Sequence, residues 1–195
     1  MSEVAKRLFK YRSYTPLPFL VLMIIFAKPV VLSLIFGFVI AIIGELIRFW
    51  GVSWAGSETR TTGRVGGSNL IISGPFAYVR NPLYVGNMML YLGVGIMSWA
   101  LFPYLQAAAF IFFAIQYYFI VSEEENFLKT EFGEDYNKYC ENVPRFFPRI
   151  IPYKNPGIEQ PEFNSKKGFR SERRTLQAFA SIFLIVIIIW ILQNS

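Results

Sequence analysis

Five apolar runs dominate this chain: residues 17–27, 30–47, 83–102, 104–121 and 176–192. A helix of about 20 apolar residues is about 30 Å long, which matches the hydrocarbon core of a bilayer. In lipid the backbone must satisfy its own polar groups, so such runs fold as helices. The expected fold is therefore all-α, a polytopic membrane bundle of about five transmembrane helices. The first run is short for a span, and Tyr14 can extend it at the interface. Lys28-Pro29 and Pro103 predict tight hairpins. Gly37 and Gly44 lie seven residues apart, on one helical face where a neighbour can approach closely. At the end of the second run, Glu45 is expected to pair with Arg48.

The placement of charge supports this division. With five spans, the N-terminal arm, the 49–81 connector and the 122–175 segment share one side. Counting the interfacial Arg48, that side carries every lysine and arginine except Lys28, 18 of the 19. By the positive-inside rule it is cytoplasmic, so the N-terminus is inside and the C-terminus outside, in a cell inner membrane. The start of the chain has no small-residue cleavage site after a short apolar core, so it is read as retained. A net charge of +6 could suggest nucleic acid, but its distribution fits a membrane surface, and no nucleic-acid partner is expected. Composition agrees, with 54% hydrophobic residues and a mean hydropathy of +0.39.

Several chemistries are excluded. The chain has no histidine and one cysteine, Cys140. It can form no internal disulfide, a metal site would need unusual ligands, and none is expected. There is no phosphate-cradling glycine–lysine loop, no dinucleotide fingerprint, and no serine or cysteine with a histidine partner. Reactions needing little acid–base help remain. Methyl transfer from a sulfonium is one, because the donor is already activated and alignment is most of the task.

Two stretches on the cytoplasmic side can carry such chemistry. In residues 73–86, Gly74-Pro75 makes a turn, Asn81 can cap the following helix through its side chain, and Pro82 suits the first helical position. Arg80 then stands beside a helix N-terminus, which attracts anions. The plain alternative is that Asn81-Pro82 is only a cap. The second stretch, residues 123–141, has seven acidic residues and two basic ones. It is either a solvated face or part of a site for a ligand carrying both charges, with Arg80 taking a carboxylate and Glu124 or Glu125 an ammonium. Helical spacing continues through residues 122–132, and Gly133 reads as a stop before a short amphipathic piece, 134–140. Residues 142–174, with five prolines, read as irregular.

The pattern Gly74-Pro75-Phe76-x-Tyr78-x-Arg80-Asn81-Pro82-x-Tyr84-x-Gly86 resembles the signature of the isoprenylcysteine carboxyl methyltransferase family and its phospholipid methyltransferase relatives. About forty residues on, Glu124-Glu125-x-x-Leu128-x-x-x-Phe132-Gly133-x-x-Tyr136-x-x-Tyr139 is similar to their second motif. Val143-Pro144-Arg145-Phe146-x-Pro148 is similar to the closing one. The resemblance implies a membrane methyltransferase core over residues 1–150, with motifs at 74–148. A basic connector, 151–175, and an additional helix, 176–192, follow.

It also implies a cytoplasmic-face pocket for S-adenosylmethionine. Carried over residue by residue, the cofactor-binding positions are Arg80, Asn81, Pro82, Tyr84, Gly86, Glu125 and Tyr136, and the catalytic ones are Arg80, Asn81, Glu124 and Arg145. Asn81 stands where eukaryotic members have histidine, so no histidine base operates here. The cofactor's carboxylate is expected near Arg80 or Arg145 and its ammonium near Glu125. The expected acceptor is lipophilic, arriving from membrane lipid between spans two and three. Carboxyl O-methylation of a lipidated or prenylated substrate is the first reading. Phospholipid N-methylation and a non-catalytic scaffold are the alternatives.

Overall fold

The computed structural model describes residue 9, residues 11–56 and residues 69–195. The basic positions Lys6, Arg7, Lys10, Arg60 and Arg64, and the Gly66-Gly67 pair, lie outside the described residues. The regular structure is α1 (Pro16–Ile25), α2 (Val31–Ala55), α3 (Pro82–Ser98), α4 (Tyr104–Asn142) and α5 (Ser165–Asn194). A 3-10 turn, Gly74–Ala77, precedes α3, and among the described residues there is no strand.

Three helices, α2, α4 and α5, are long and apolar enough to cross a membrane. The other two fall short of the five expected spans. With 10 residues α1 reaches about 15 Å, and with 17 residues α3 reaches about 26 Å. Leu32, Ile35, Phe36, Ile111 and Leu184 are among many large apolar side chains left exposed on α2, α4 and α5, as lipid-facing surfaces require.

The seam between α2 and α3 organises the bundle, and it is built from glycines. A Cβ on Gly37 would lie 2.5 Å from the Gly93 carbonyl oxygen. One on Gly44 would lie 2.6 Å from the Gly86 carbonyl oxygen, and one on Gly93 would lie 2.5 Å from the Ala41 nitrogen. Backbone therefore rests on backbone, which gains close dispersion contact where lipid offers no hydrophobic driving force. The same closeness corrects one expectation. The expected entry of an acceptor between the second and third spans has no opening there, because the glycines bring the two backbones into contact.

Two helix boundaries also differ from the sequence reading, and a third agrees with it. α2 runs to Ala55, so Trp50 and Trp54 ride on the helix and not in a connector. α4 is broken at Gly133, where the sequence predicts a stop before a short amphipathic piece. That residue takes φ 51°, ψ −121°, which kinks the chain, and helix resumes to Asn142. α5 starts at Ser165, inside the basic stretch read as connector, where the Asn164 side chain caps it by accepting from Lys167 N at 2.9 Å.

The expected hairpins are present. Lys28 N donates to Ser98 O at 2.9 Å and Ser33 Oγ to Met97 O at 3.2 Å, which ties the α1–α2 turn to the end of α3. Trp99 and Leu101 adopt positive φ in the turn between α3 and α4. α5 docks along α2 through Phe179 and Phe183, whose rings lie 6.1 and 4.9 Å from that of Phe38.

Replacing Gly93 by valine should force α2 and α3 apart and destabilise the protein by on the order of 2–3 kcal/mol. Thermal unfolding in detergent checks this, and an unchanged midpoint would mean that the seam is not tight.

Candidate functional site

The site begins with the turn before α3. Gly74 takes φ +61°, and a Cβ there would lie 2.2 Å from Trp54 Cδ1, so both its conformation and its packing require glycine. The chain then passes beside the segment that follows α4. Arg80 N donates to Pro144 O, Arg149 N to Tyr78 O and Tyr153 N to Ala77 O, each at 2.9 Å. Tyr139 Oη donates to Phe76 O at 2.7 Å. The first and third motifs are thus joined by backbone bonds.

Arg80 points into this junction. Its Nη1 donates to the carbonyls of Cys140 and Val143 at 2.7 and 2.9 Å. Carbonyls in the last turn of a helix have no intrahelical partner, so the guanidinium caps the end of α4 at its negative pole. Its Nε donates to Glu125 Oε1 at 3.0 Å. Arg145 approaches the same carboxylate from the closing segment, with Nε 3.2 Å from Oε1 and Nη2 2.5 Å from Oε2. Two guanidiniums therefore clamp one carboxylate whose side chain is only 4% exposed. Arg145 is the more open of the two, with its side chain 29% exposed.

Asn81 does not cap α3 with its side chain as expected. Its amide instead donates to Glu125 Oε1 at 3.4 Å and to the Arg145 carbonyl at 3.3 Å. A cap would use the side-chain oxygen as acceptor; here the amide is oriented instead by donation from its nitrogen. The backbone still fills the N-cap position, with Val85 N donating to Asn81 O at 3.2 Å, and Pro82 opens the helix.

Beside the clamp, Tyr84 Oη donates to Glu124 Oε1 at 2.7 Å. The apolar part of α4, residues 104–121, already accounts for about 27 Å, so Glu124 lies beyond the hydrocarbon. Burial pushes its carboxyl up to about 7, against the bond from Tyr84, which favours the anion. Burial likewise raises the Tyr136 and Tyr139 hydroxyls far above their ordinary value, so both stay neutral.

A cavity of about 860 Å³ joins these groups. Arg80, Asn81, Pro82, Tyr84, Glu124 and Glu125 line it. Tyr136, Tyr139, Leu128, Leu70 and Ile71 form a largely apolar wall. Gln160 holds that wall, accepting from Ile72 N at 2.8 Å and donating to Leu70 O at 2.9 Å.

Eight of the nine residues singled out by sequence thus gather around Glu125 or on this cavity. Gly86 does not. It faces α2, where an added Cβ would lie 2.6 Å from Arg48 Cγ. Arg145 stands behind the clamp and not on the cavity wall.

Sequence reasoning missed Glu172. It is fully buried and accepts from Arg48 Nη2 at 2.7 Å, while Arg48 Nη1 donates to Asn87 Oδ1. Glu45 lies 3.5 Å from Arg48 Nε, the pairing expected from sequence. The available signal for Glu172 was its place as the lone carboxylate within a basic run.

Residues 32–135, just over half of the chain, match the phospholipid methyltransferase family. The chain belongs to that family. It is also 36% identical over 87 residues to a cobalt-zinc-cadmium resistance protein, CzcN, of Cupriavidus metallidurans, covering 45% of this chain and 39% of that one. To a nickel-cobalt-cadmium resistance protein, NccN, of Alcaligenes xylosoxydans xylosoxydans it is 31% identical over 88 residues, 45% of this chain and 40% of the other. The chain thus spans about two fifths of the length of the curated relatives it matches. No solved structure matches it. The family is one of membrane methyltransferases, and its matched region ends before the closing segment and before α5.

Removing one partner of a buried ion pair strands the other charge, so Glu125→Ala should destabilise the fold by about 3–5 kcal/mol. Arg145→Ala should cost less, because Arg145 is partly solvated. Unfolding midpoints of the two variants give the comparison, and a Glu125→Ala protein as stable as wild type would show that the clamp holds nothing together.

Proposed function

We propose that this protein transfers a methyl group from S-adenosylmethionine to a lipophilic acceptor at the cytoplasmic rim of the membrane, and that the accepting atom is the amine of a phospholipid headgroup. The observation that carries the reading is the shared cavity, which has the Arg80–Glu125 pair at one wall and the Tyr84–Glu124 pair beside it.

The residues suit the cofactor. Its methionine tail carries a carboxylate and an ammonium. Two guanidiniums around one carboxylate leave an excess of positive charge, which favours the tail's carboxylate. Arg80 is the guanidinium that stands on the cavity wall. With both its oxygens engaged by arginines, Glu125 is better suited to hold those donors than to be the main partner of the ammonium. Leu70, Leu128 and Tyr136 offer apolar surface for the adenine ring. When bound, the cofactor supplies a sulfonium methyl whose carbon–sulfur bond breaks as a bond to the acceptor nitrogen forms, leaving a neutral thioether and one proton to be removed from that nitrogen.

Glu124 supplies the proton sink. Tyr84 holds Oε1 and leaves Oε2 as the accepting atom in this reading. A carboxyl group titrating near 7 is poised for proton transfer at neutral pH. The carboxyl O-methylation reading needs no base and leaves this pair without a part, which is why the amine is favoured here.

Two measurements test the reading. Calorimetry of S-adenosylmethionine with detergent-solubilised protein should show one site, weakened about tenfold or more in Arg80→Lys, the equivalent of losing one charge-assisted bond. Absence of binding by the wild type would leave a non-catalytic scaffold. Transfer of labelled methyl to phosphatidylethanolamine should rise with pH through about 7, as Glu124 loses its proton and becomes able to accept one. Glu124→Gln should remove that inflection and lower the rate at pH 8 by about 100-fold. A rate independent of pH, together with transfer only to carboxylate acceptors, would restore the O-methylation reading.

A further inference from the structure

The cavity does not end at the cofactor wall. It continues along α3 past Tyr84 to Asn87, Tyr91, Leu90 and Val94. From Pro82 to Val94, both of which line it, α3 rises about 18 Å. One leaflet of hydrocarbon is about 15 Å deep. The cavity therefore reaches roughly the middle of the membrane, a depth that neither a nucleotide cofactor nor a bare headgroup requires.

Its character changes on the way. Beyond the ionic rim, α1 contributes Leu17 and Leu20 and α5 contributes Ala178, Phe179 and Ile182. Leu17 is 52% exposed while lining the cavity, and Ala178 is likewise both lining and exposed. The deep lobe is therefore open to the surroundings on the α1 and α5 sides. The α2–α3 seam is closed by backbone contact. Two of the flanking elements lie before or beyond the matched family region, α1 before it and α5 after it.

We infer that this deep lobe holds one acyl chain of the phospholipid acceptor, which enters from the bilayer between α1 and α5, and that α5 sets the enzyme's chain-length preference. This rests on the reading of a lipid acceptor given above. The occupant follows from three features: outside the Arg48–Asn87–Glu172 cluster on one side, the lobe's lining from α1, α3 and α5 is mostly apolar, it runs one leaflet deep, and it is continuous with the site where the headgroup must sit. α5 is held in place for this task. Gly168 packs on Ser53, Asn164 N donates to Ser53 O at 2.8 Å, and Glu172 meets Arg48.

The test uses the full chain in phosphatidylglycerol nanodiscs, with phosphatidylethanolamine bearing a photoreactive diazirine near the end of an acyl chain. Irradiation followed by peptide mapping should place the label on α1 and α5 at Leu17, Leu20, Ala178 or Ile182. Filling the lobe with Ala178→Trp or Ile182→Trp should cut labelling about tenfold. It should also reduce the preference for long-chain over dihexanoyl acceptor, judged from KM, by about the same factor. Leu184→Trp, on α5 but not lining the cavity, serves as control and should leave labelling as in the wild type. Label scattered over outward-facing residues, or unaltered by either lobe-filling variant, would overturn the inference even if methyl transfer proceeds. Label in the lobe without any transfer of methyl from the cofactor would instead overturn the functional reading and leave the lobe standing. Wild-type mapping needs no variant to fold, so the inference stays open to refutation if the tryptophans destabilise the helix.

Discussion

One carboxylate, that of Glu125, gathers three parts of the chain that are far apart in sequence. It accepts from Arg80 and Asn81 at the start of α3 and from Arg145 after α4, while standing on α4 itself. An isolated buried carboxylate would be costly to desolvate, and so would either guanidinium. Together they compensate one another, and the spare donors of Arg80 satisfy the open carbonyls at the end of α4. The arrangement thus solves two problems with one arginine: a helix end without partners and a carboxylate without solvent.

That clamp can form only if α3 and α4 present their ends at one height. The glycine seam sets the height of α3. Its backbone lies directly on α2, with Gly37, Gly44, Gly86 and Gly93 as the points of contact, so α3 has little freedom to slide. α4 is held by the hairpin at residues 99–103 and then extends beyond the apolar region. At Gly133 a positive φ turns the final helical segment, and Tyr136 and Tyr139 pack with Leu70, Ile72 and Val143 into a second small core. Without that bend α4 would run straight on, and its last carbonyls would not meet Arg80.

Much of this was legible from sequence because it depends on local rules. The apolar runs named the helices, Pro103 named a hairpin, and the spacing of Gly37 and Gly44 named the close face. The three motifs named the residues that meet at Glu125. What sequence misplaced depends on competition between distant groups. Asn81 has the right chemistry for a cap, yet a carboxylate 44 residues away draws its amide elsewhere. Gly86 sits in the first motif, and its bare backbone makes room for the stem of Arg48. The basic stretch before α5 looked like a solvated linker, because nothing local shows that Glu172 will find an arginine 124 residues earlier.

The Arg48–Glu172 pair binds the appended helix to the family core. Arg48 sits on a helix long and apolar enough to span a membrane, with its side chain 12% exposed, and Glu172 is sealed completely. Bringing such charges together inside protein adds little net stability, because desolvation offsets most of the attraction. Parting them is another matter, since withdrawing α5 would leave Arg48 without one of its carboxylates. The pair therefore acts less as glue than as a condition on position: α5 can pack on α2 only in the register that brings Glu172 to Arg48. That register also sets Phe179 against Phe38 and puts Ala178 and Ile182 on the cavity wall. A helix outside the family's matched region thereby becomes part of the lining of its cavity.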